Sequence, residues 1–429
     1  MGRNIVVISI LFSCFYLSLS AAGAQEVLTW QDCIKEAQEN NPDLISSKEV
    51  VNQFKAQKLT AISAILPQVS TEVSQSISKG PQGNQTNTPS FQTNTSSYGI
   101  TAQQLLFDGL KTPFNIAAAA KNVTAAQYNY DVTSSNIRLQ LRTAYISLLS
   151  AQELLVINKD IAERRKQNAD LVKLLYDGGM ENKGSLLTAE ANLAQAEFNI
   201  IQAERAITVA QRQLSKEMGR AVVRPIQASG DLEVTMVKGE KPNFEALATT
   251  NPSLENLSSL TEAAQYGLKS AKAEFFPTIS ANAFAGRTDS EWPPHNNEWS
   301  AGIILALPIF DGGSRWADVS KARAVLNQAK ATERSSRDGV VLALEQAWVV
   351  WQNAIDTVAV QKQVLEAADE RAKISRIEYT NGLLTFDNWT IIEDNLAQAQ
   401  TTLVADQANA FIAEAQWVQA LGGTLDYAE

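Results

Sequence analysis

Leu66-Pro67-Gln68-Val69-Ser70 returns as Phe276-Pro277-Thr278-Ile279-Ser280, 210 residues downstream (277 − 67). Asn41-Pro42 returns as Asn251-Pro252 at the same offset (252 − 42). Further along, Phe107-Asp108-Gly109 returns as Phe310-Asp311-Gly312, and Met218-Gly219 as Leu421-Gly422, now 203 apart (310 − 107). The change of offset falls in a polar loop, where a difference in length costs little. A duplication on this scale means one structural unit present in two copies.

Working outward from the prolines, each unit reads helix, strand, loop, strand, very long helix, tight turn, long helix. Asn-Pro opens the first helix. The Asn side chain can cap the first turn, and proline fits the first helical position because that N–H has no intrahelical partner. The helix ends at Pro67 or Pro277, which cannot continue the hydrogen-bond ladder. Beyond each proline the pattern has period two. Val69, Val73 and Ile77 alternate with Ser70, Ser74 and Ser76, and Tyr98, Ile100, Ala102 and Leu106 alternate with Ser97, Gly99, Thr101 and Gln103. In the second unit Trp299, Ala301, Ile303, Leu305 and Leu307 form the apolar side of a strand whose other side is small. Strands of about 9–12 residues are the length needed for a tilted crossing of a bilayer. The segments 79–96 and 286–298, rich in Gly, Pro, Asn, Thr and Ser, are expected to be exposed loops, with Trp292 and His295 as solvated loop residues.

The helices repeat by sevens. Leu186, Leu193, Ile200, Ile207 and Leu214 form one seam, flanked by Ala189, Ala196, Ala203 and Ala210. The second copy carries Trp389, Leu396, Leu403, Ala410 and Trp417. Ile116, Val123, Tyr130, Ile137 and Ala144 mark the preceding helix, and Leu344, Trp351, Val358 and Leu365 its counterpart. Sustained sevens predict coiled-coil packing at a shallow crossing angle. No proline or glycine falls between Pro113 and Tyr176, so that helix is expected to reach on the order of 100 Å.

Composition narrows the function. The 429 residues hold a single histidine, His295, and two cysteines, with a net charge of −10. No metal-ligand spacing, glycine-rich phosphate loop or G-x-S-x-G element occurs, which argues against an enzyme, a metal centre or a cofactor site. The acidic balance provides no footprint for nucleic acid. Residues 1–24 read as a secretory signal: Arg3, an apolar stretch from Ile5 to Leu19, and Ala22-Gly23-Ala24 before the cut. Cys14 would leave with it, so Cys33 remains as a lone thiol, read as a small apolar residue on the first helix or, alternatively, as an intermolecular bridge. Beyond the signal the longest apolar run, Ala301 to Phe310, is too short for a spanning helix, which needs about 20 residues.

Two hairpins supply four strands, and the smallest filled barrels need about eight. An open sheet in lipid leaves edge N–H and C=O groups unpaired at several kcal/mol each. Strands placed in a membrane must therefore be pooled by several chains into one closed sheet, with the helices forming a matching tube below. The expected division is a signal (1–24), a first repeat (25–219), an irregular linker (220–250), a second repeat (251–423) and a short tail (424–429).

With these features the chain resembles the TolC family of outer-membrane efflux and secretion ducts. The resemblance covers essentially all of residues 25–423. It is carried by Asn40-Asn41-Pro42, Leu66-Pro67, Leu106-Phe107-Asp108-Gly109, Leu307-Pro308-Ile309-Phe310-Asp311-Gly312-Gly313, and the paired turns Tyr176-Asp177-Gly178-Gly179 and Tyr379-Thr380-Asn381-Gly382. It implies a predominantly α-helical homotrimer: a twelve-stranded β-barrel in outer-membrane lipid, continuous with a long periplasmic α-helical barrel. The partners implied are a periplasmic adaptor protein and an inner-membrane pump or ABC exporter, as in tripartite efflux or type I secretion. The helix tips at Tyr176, Gly179, Tyr379 and Gly382 are the implied adaptor-docking points. Where family members carry two aspartates in a periplasmic constriction, this chain has Asn388 and Ile391, with Ser185 as the first-repeat counterpart of Asn388. Ser185 and Asn388 are expected to cap the returning helices, while Asp387, Glu393 and Asp394 are candidates to line the lumen instead. The competing reading is an elongated coiled-coil structural or adhesive envelope protein without a channel; the two amphipathic hairpins at matching points argue against it.

Overall fold

The computed structural model describes residues 26–81, 90–222, 224–234 and 240–427, so the expected signal segment lies outside the described residues. The chain opens with β1 (Glu26–Leu28) and α1 (Trp30–Asn40), the latter closed at its start by a reciprocal cap between Thr29 and Asp32. Asn41 then caps α2 (Pro42–Ser63), accepting from the backbone N–H groups of Asp43 and Leu44. A hairpin of β2 (Gln68–Pro81) and β3 (Ser90–Phe107) leads into α3 (Lys111–Asp177) and α4 (Lys183–Glu217).

The linker contains β4 (Ile226–Ala228), which pairs in parallel with β1, and α5 (Phe244–Ala248). The irregular belt expected here is thus partly regular. Asn251 caps α6 (Pro252–Ala273), and the pattern repeats: β5 (Thr278–Asp289), β6 (Asn296–Ala306), α7 (Ser314–Thr380) and α8 (Phe386–Ala420). α3 and α7 each have 67 residues, and α4 and α8 each have 35. At 1.5 Å per residue the longer pair runs about 100 Å. Both long helices start behind a residue in the left-handed conformation, Leu110 before α3 and Gly313 before α7.

The four long strands form one antiparallel sheet in the order β2-β3-β5-β6. β3 and β5, one from each repeat, join the two hairpins, so β2 and β6 remain as free edges. The register gathers most of the apolar residues on one face, with Phe284 and Ile304 on the other. One face carries Val69, Val73, Ile100, Ala283, Ala285, Trp299, Ala301 and Ile303; the other carries Ser70, Ser74, Ser97, Thr101, Gln103, Asn282 and Ser300. The apolar face is bare in the single chain, with Val69 67%, Ile303 72% and Trp299 79% exposed.

The first hairpin is longer than expected. Of the anticipated loop 79–96, residues 79–81 and 90–96 are strand and 82–89 lie outside the described residues; the chain from Ser90 onward keeps pairing once the β2–β3 register is set. The second loop shrinks likewise to 290–295. Trp292 lies in this loop as expected and is 59% exposed, with its ring meeting Tyr98 edge-on at 6.5 Å. His295 stands exposed, its backbone N–H donating to Asp289.

The helical core lies on the predicted seams. Ile137, Leu141, Leu148 and Leu214 are buried together with Leu28, Cys33, Ile226 and Val404. Cys33 has no exposed surface, and burial pushes its thiol up to about 12. A thiol so placed is a small apolar filler, and the bridging alternative has no accessible sulfur. A second cluster unites Leu344 and Trp417 with Phe244 and Ala248 of α5. Among the described residues, no helix is long and apolar enough to cross a membrane.

Candidate functional site

Both ends of the molecule are built by turns that only certain residues can make. At the end remote from the strands, α3 reverses into α4 and α7 into α8. Gly179 (φ 74°) and Gly382 (φ 73°) take the left-handed conformation that ends a helix. Met180 N–H donates to the Leu175 carbonyl at 2.8 Å, and Leu383 N–H to the Glu378 carbonyl at 2.8 Å, so both tips close the same way. The expected caps are displaced by one turn. Asn182 and Thr385 are the caps, their side chains accepting from the N–H groups of Ser185 and Asn388. Ser185 and Asn388 therefore sit at the third helical position, where the N–H that needs an acceptor is their own.

The two tyrosines differ despite equivalent sequence positions. Tyr176 is 37% exposed; Tyr379 is 5% exposed. Tyr379 stacks on Trp389 at 4.3 Å and is flanked by Phe386, while Ala169, Val172 and Ala189 from the first repeat complete the cluster. Its hydroxyl donates to Glu181 at 3.0 Å, which ties the second tip to the first. Burial, then the Glu181 carboxylate, push the Tyr379 hydroxyl above the ordinary phenol range. Burial opposes charge on Glu181, yet hydrogen bonds from the Asn182 N–H, Ser185 and Tyr379 hold its carboxyl below the usual value.

Asn388 and Ile391 share an exposed face of α8, three residues apart, with Ile391 56% exposed. Ser185 is buried in its own turn, receiving a 3.0 Å hydrogen bond from Asn182 Nδ2, and does not join that face. Of the acidic alternatives, Glu393 is buried beside Arg165 and Asn168, which removes it from the open surface. Asp394 accepts from Arg165 at 2.5 Å across α3 and α8, and Asp387 is exposed. Arg164 adds a second tie to Gln400 at 2.6 Å. Sequence reasoning missed these cross-links, because nothing in a helical repeat says which helix lies alongside which. Among the described residues no group of His, Cys, Asp and Glu could hold a metal ion.

A sheet with one bare apolar face and two open edges, continued into paired helices far longer than any compact core, defines a subunit of a membrane duct. The chain belongs to the outer membrane efflux protein family, whose model matches residues 33–220 and 245–423, leaving out the linker between the repeats. It is 24% identical over 369 residues to the outer membrane efflux protein BepC of Brucella suis, covering 85% of this chain and 78% of that one. Its fold is similar to that of the outer-membrane channel OprN (TM-score 0.81, 19% identity, 92% and 89% of the two chains). It is also similar to that of the outer membrane protein VceC of Vibrio cholerae (TM-score 0.78, 20% identity, 92% and 96%). Membership places the chain in the outer membrane, with its helices extending into the periplasm, as an exit component of efflux.

Proposed function

We propose that three copies pool their sheets into a twelve-stranded barrel and their helices into one periplasmic tube, and that this homotrimer conducts cargo passively. The observation that carries the reading is the open sheet β2-β3-β5-β6, with free edges at β2 and β6 and a bare apolar face. Edges of this kind cannot be left unpaired in hydrocarbon, and β6 of one copy beside β2 of the next satisfies both. β6 has 11 residues. A strand of that length at the usual tilt rises ~25 Å along the membrane normal, which matches the apolar band of such barrels. Phe310 and Ile309, 87% and 91% exposed, would form its lower margin.

The duct does no chemistry, so the driving force comes from a periplasmic adaptor and an inner-membrane pump or ABC exporter docked at the helix tips. Purified protein in detergent should cross-link as trimers and give discrete conductance steps in a planar bilayer. A folded monomer that keeps its β signal, or a folded oligomer without conductance, would favour the rod over the duct.

Docking at the tips has its own test. Gly179→Val and Gly382→Val force a β-branched residue into a left-handed turn where nothing else lies within reach. The strain is about 1–2 kcal/mol, small beside the stability of the assembly. Export should fall while trimer yield is kept. Normal export by both variants would move docking elsewhere. The same tips carry Asn388 and Ile391, which we assign to the periplasmic constriction as an uncharged ring.

A further inference from the structure

The four long strands carry five charged residues: Glu72, Lys79, Arg287, Asp289 and Glu298. The register divides them unevenly. Lys79 and Arg287 fall on the same face as Val73, Tyr98 and Trp299, near the hairpin ends, and so does Asp289. Glu72 and Glu298 fall on the opposite, polar face. That face therefore has two carboxylates and no base among the described residues. The two are not a cluster: Glu72 pairs with Gly99, Gly99 with Gly286, and Gly286 with Glu298, one row spanning all four strands. Both acids lie on the edge strands, exposed, with no hydrogen bond or ion pair to another described residue. Between them the Phe284 ring lies against Gly99 and Gly286, where a Cβ on either glycine would overlap it.

Exposed and unpaired, the two acids hold no other described part of the fold in place. Unpaired carboxylates on a wall without bases instead set the sign of the field inside whatever the wall encloses. Resting on the trimeric duct reading, we propose that Glu72 and Glu298 make the barrel segment cation-selective and are specificity-determining residues for permeating charge. Closing the sheet brings β6 of one copy beside β2 of the next, so each of the three seams receives a carboxylate from both sides. Six wall charges then act on the permeant at the membrane level, far from the helix tips where Asn388 and Ile391 leave the constriction uncharged. The cargo class this favours is cationic; small anions are disfavoured.

The test is reversal potential across a planar bilayer under a KCl gradient, with wild-type trimer and a Glu72→Gln/Glu298→Gln double variant. At about 0.1 M salt the screening length is ~10 Å, and at about 1 M it is ~3 Å, so wall charges act strongly only in the dilute case. Wild type should prefer K⁺ over Cl⁻ in dilute salt. The double variant should lose roughly twofold or more of that ratio, with conductance in concentrated salt unchanged. Separate Glu72→Gln and Glu298→Gln variants should each show part of the loss, which keeps the test decisive if the double variant assembles poorly. A conducting variant with the wild-type ratio, or a wild-type channel without cation preference, would overturn the assignment. A wild-type trimer without any conductance would instead strike the duct reading itself.

Discussion

Tyr176 and Tyr379 occupy one position of the repeat, yet only Tyr379 is engaged. The reason lies a few residues on. Phe386 and Trp389 surround Tyr379, whereas their counterparts 203 earlier are Lys183 and Leu186, which cannot stack. The turn glycines were legible from sequence because a left-handed residue has few substitutes. The aromatic trio was legible in principle, since Phe386 and Trp389 lie one turn apart on a helix that reaches back to Tyr379. Its partner Glu181 was not, because a contact between two different hairpins has no sequence spacing. Tyr379→Phe keeps the stack and removes the hydrogen bond to Glu181, a loss of about 1–2 kcal/mol confined to the tips. Amides from Lys183 to Leu186 should exchange faster while those of the central helices stay as they were. Unchanged exchange at the tip would mean that the hydroxyl holds nothing.

At the scale of elements, the repeat dictated the order and type of the main ones, because proline, Asn-Pro and the periods of two and seven are local signals. Strand length escaped for a different reason. Gln92 to Ser96 is polar on both faces, so periodicity falls silent, and the strand persists only because β2 lies beside it. The caps expected at Ser185 and Asn388 stand one turn too far along, since Asn182 and Thr385 are equally acceptable capping residues. The sheet contains a sharper constraint. A Cβ at Gly286 would fall within 2.4 Å of the Tyr98 carbonyl and 2.8 Å of Gly99 Cα, while one at Gly302 meets nothing within 4 Å. Gly286→Val should therefore lower the yield of assembled protein in the outer membrane, with overpacking of about 1–3 kcal/mol or more per chain. Gly302→Val should assemble normally. Equal yields of the two would show that the β3–β5 approach has room to spare.

The whole molecule is gathered at its waist. Arg220, just past the first repeat, donates to Glu36 at 2.5 and 2.7 Å and to Glu26 at 2.8 and 2.9 Å, joining β1, α1 and the linker. The clamp is 14% exposed at Arg220 but more open at its acids, so Arg220→Ala is expected to cost about 1–3 kcal/mol, less than a fully buried pair. A fall in melting temperature, with the tips unaffected, is the expected measurement. Glu26 sets the sign of the pH dependence. Its hydrogen bond from Arg220 lowers its carboxyl below the ordinary 4.5. The stabilisation is present above that value and is lost as pH falls through the lower, folded one. Wild type should thus lose stability on acidification below about pH 4.5, and the Arg220→Ala protein should lose less over the same range. Parallel curves would show that Arg220 does not carry this titration. None of the waist was legible in the sequence except that residues 220–250 differ from both repeats, because Glu26 and Arg220 are far apart along the chain.

The matched helix lengths, 67 with 67 and 35 with 35, act as a ruler. An insertion in one hairpin alone would push its turn past its neighbour's, leaving a ragged rim and tearing Tyr379 from Glu181. Lengthening one arm of a hairpin without the other would throw the knobs of one helix against the ridges of its mate. A descendant of this gene could grow or shorten its periplasmic reach only by coordinated changes in all four arms, in whole heptads. The gap between the two membranes is thereby written into the gene four times over, and must be edited four times to change.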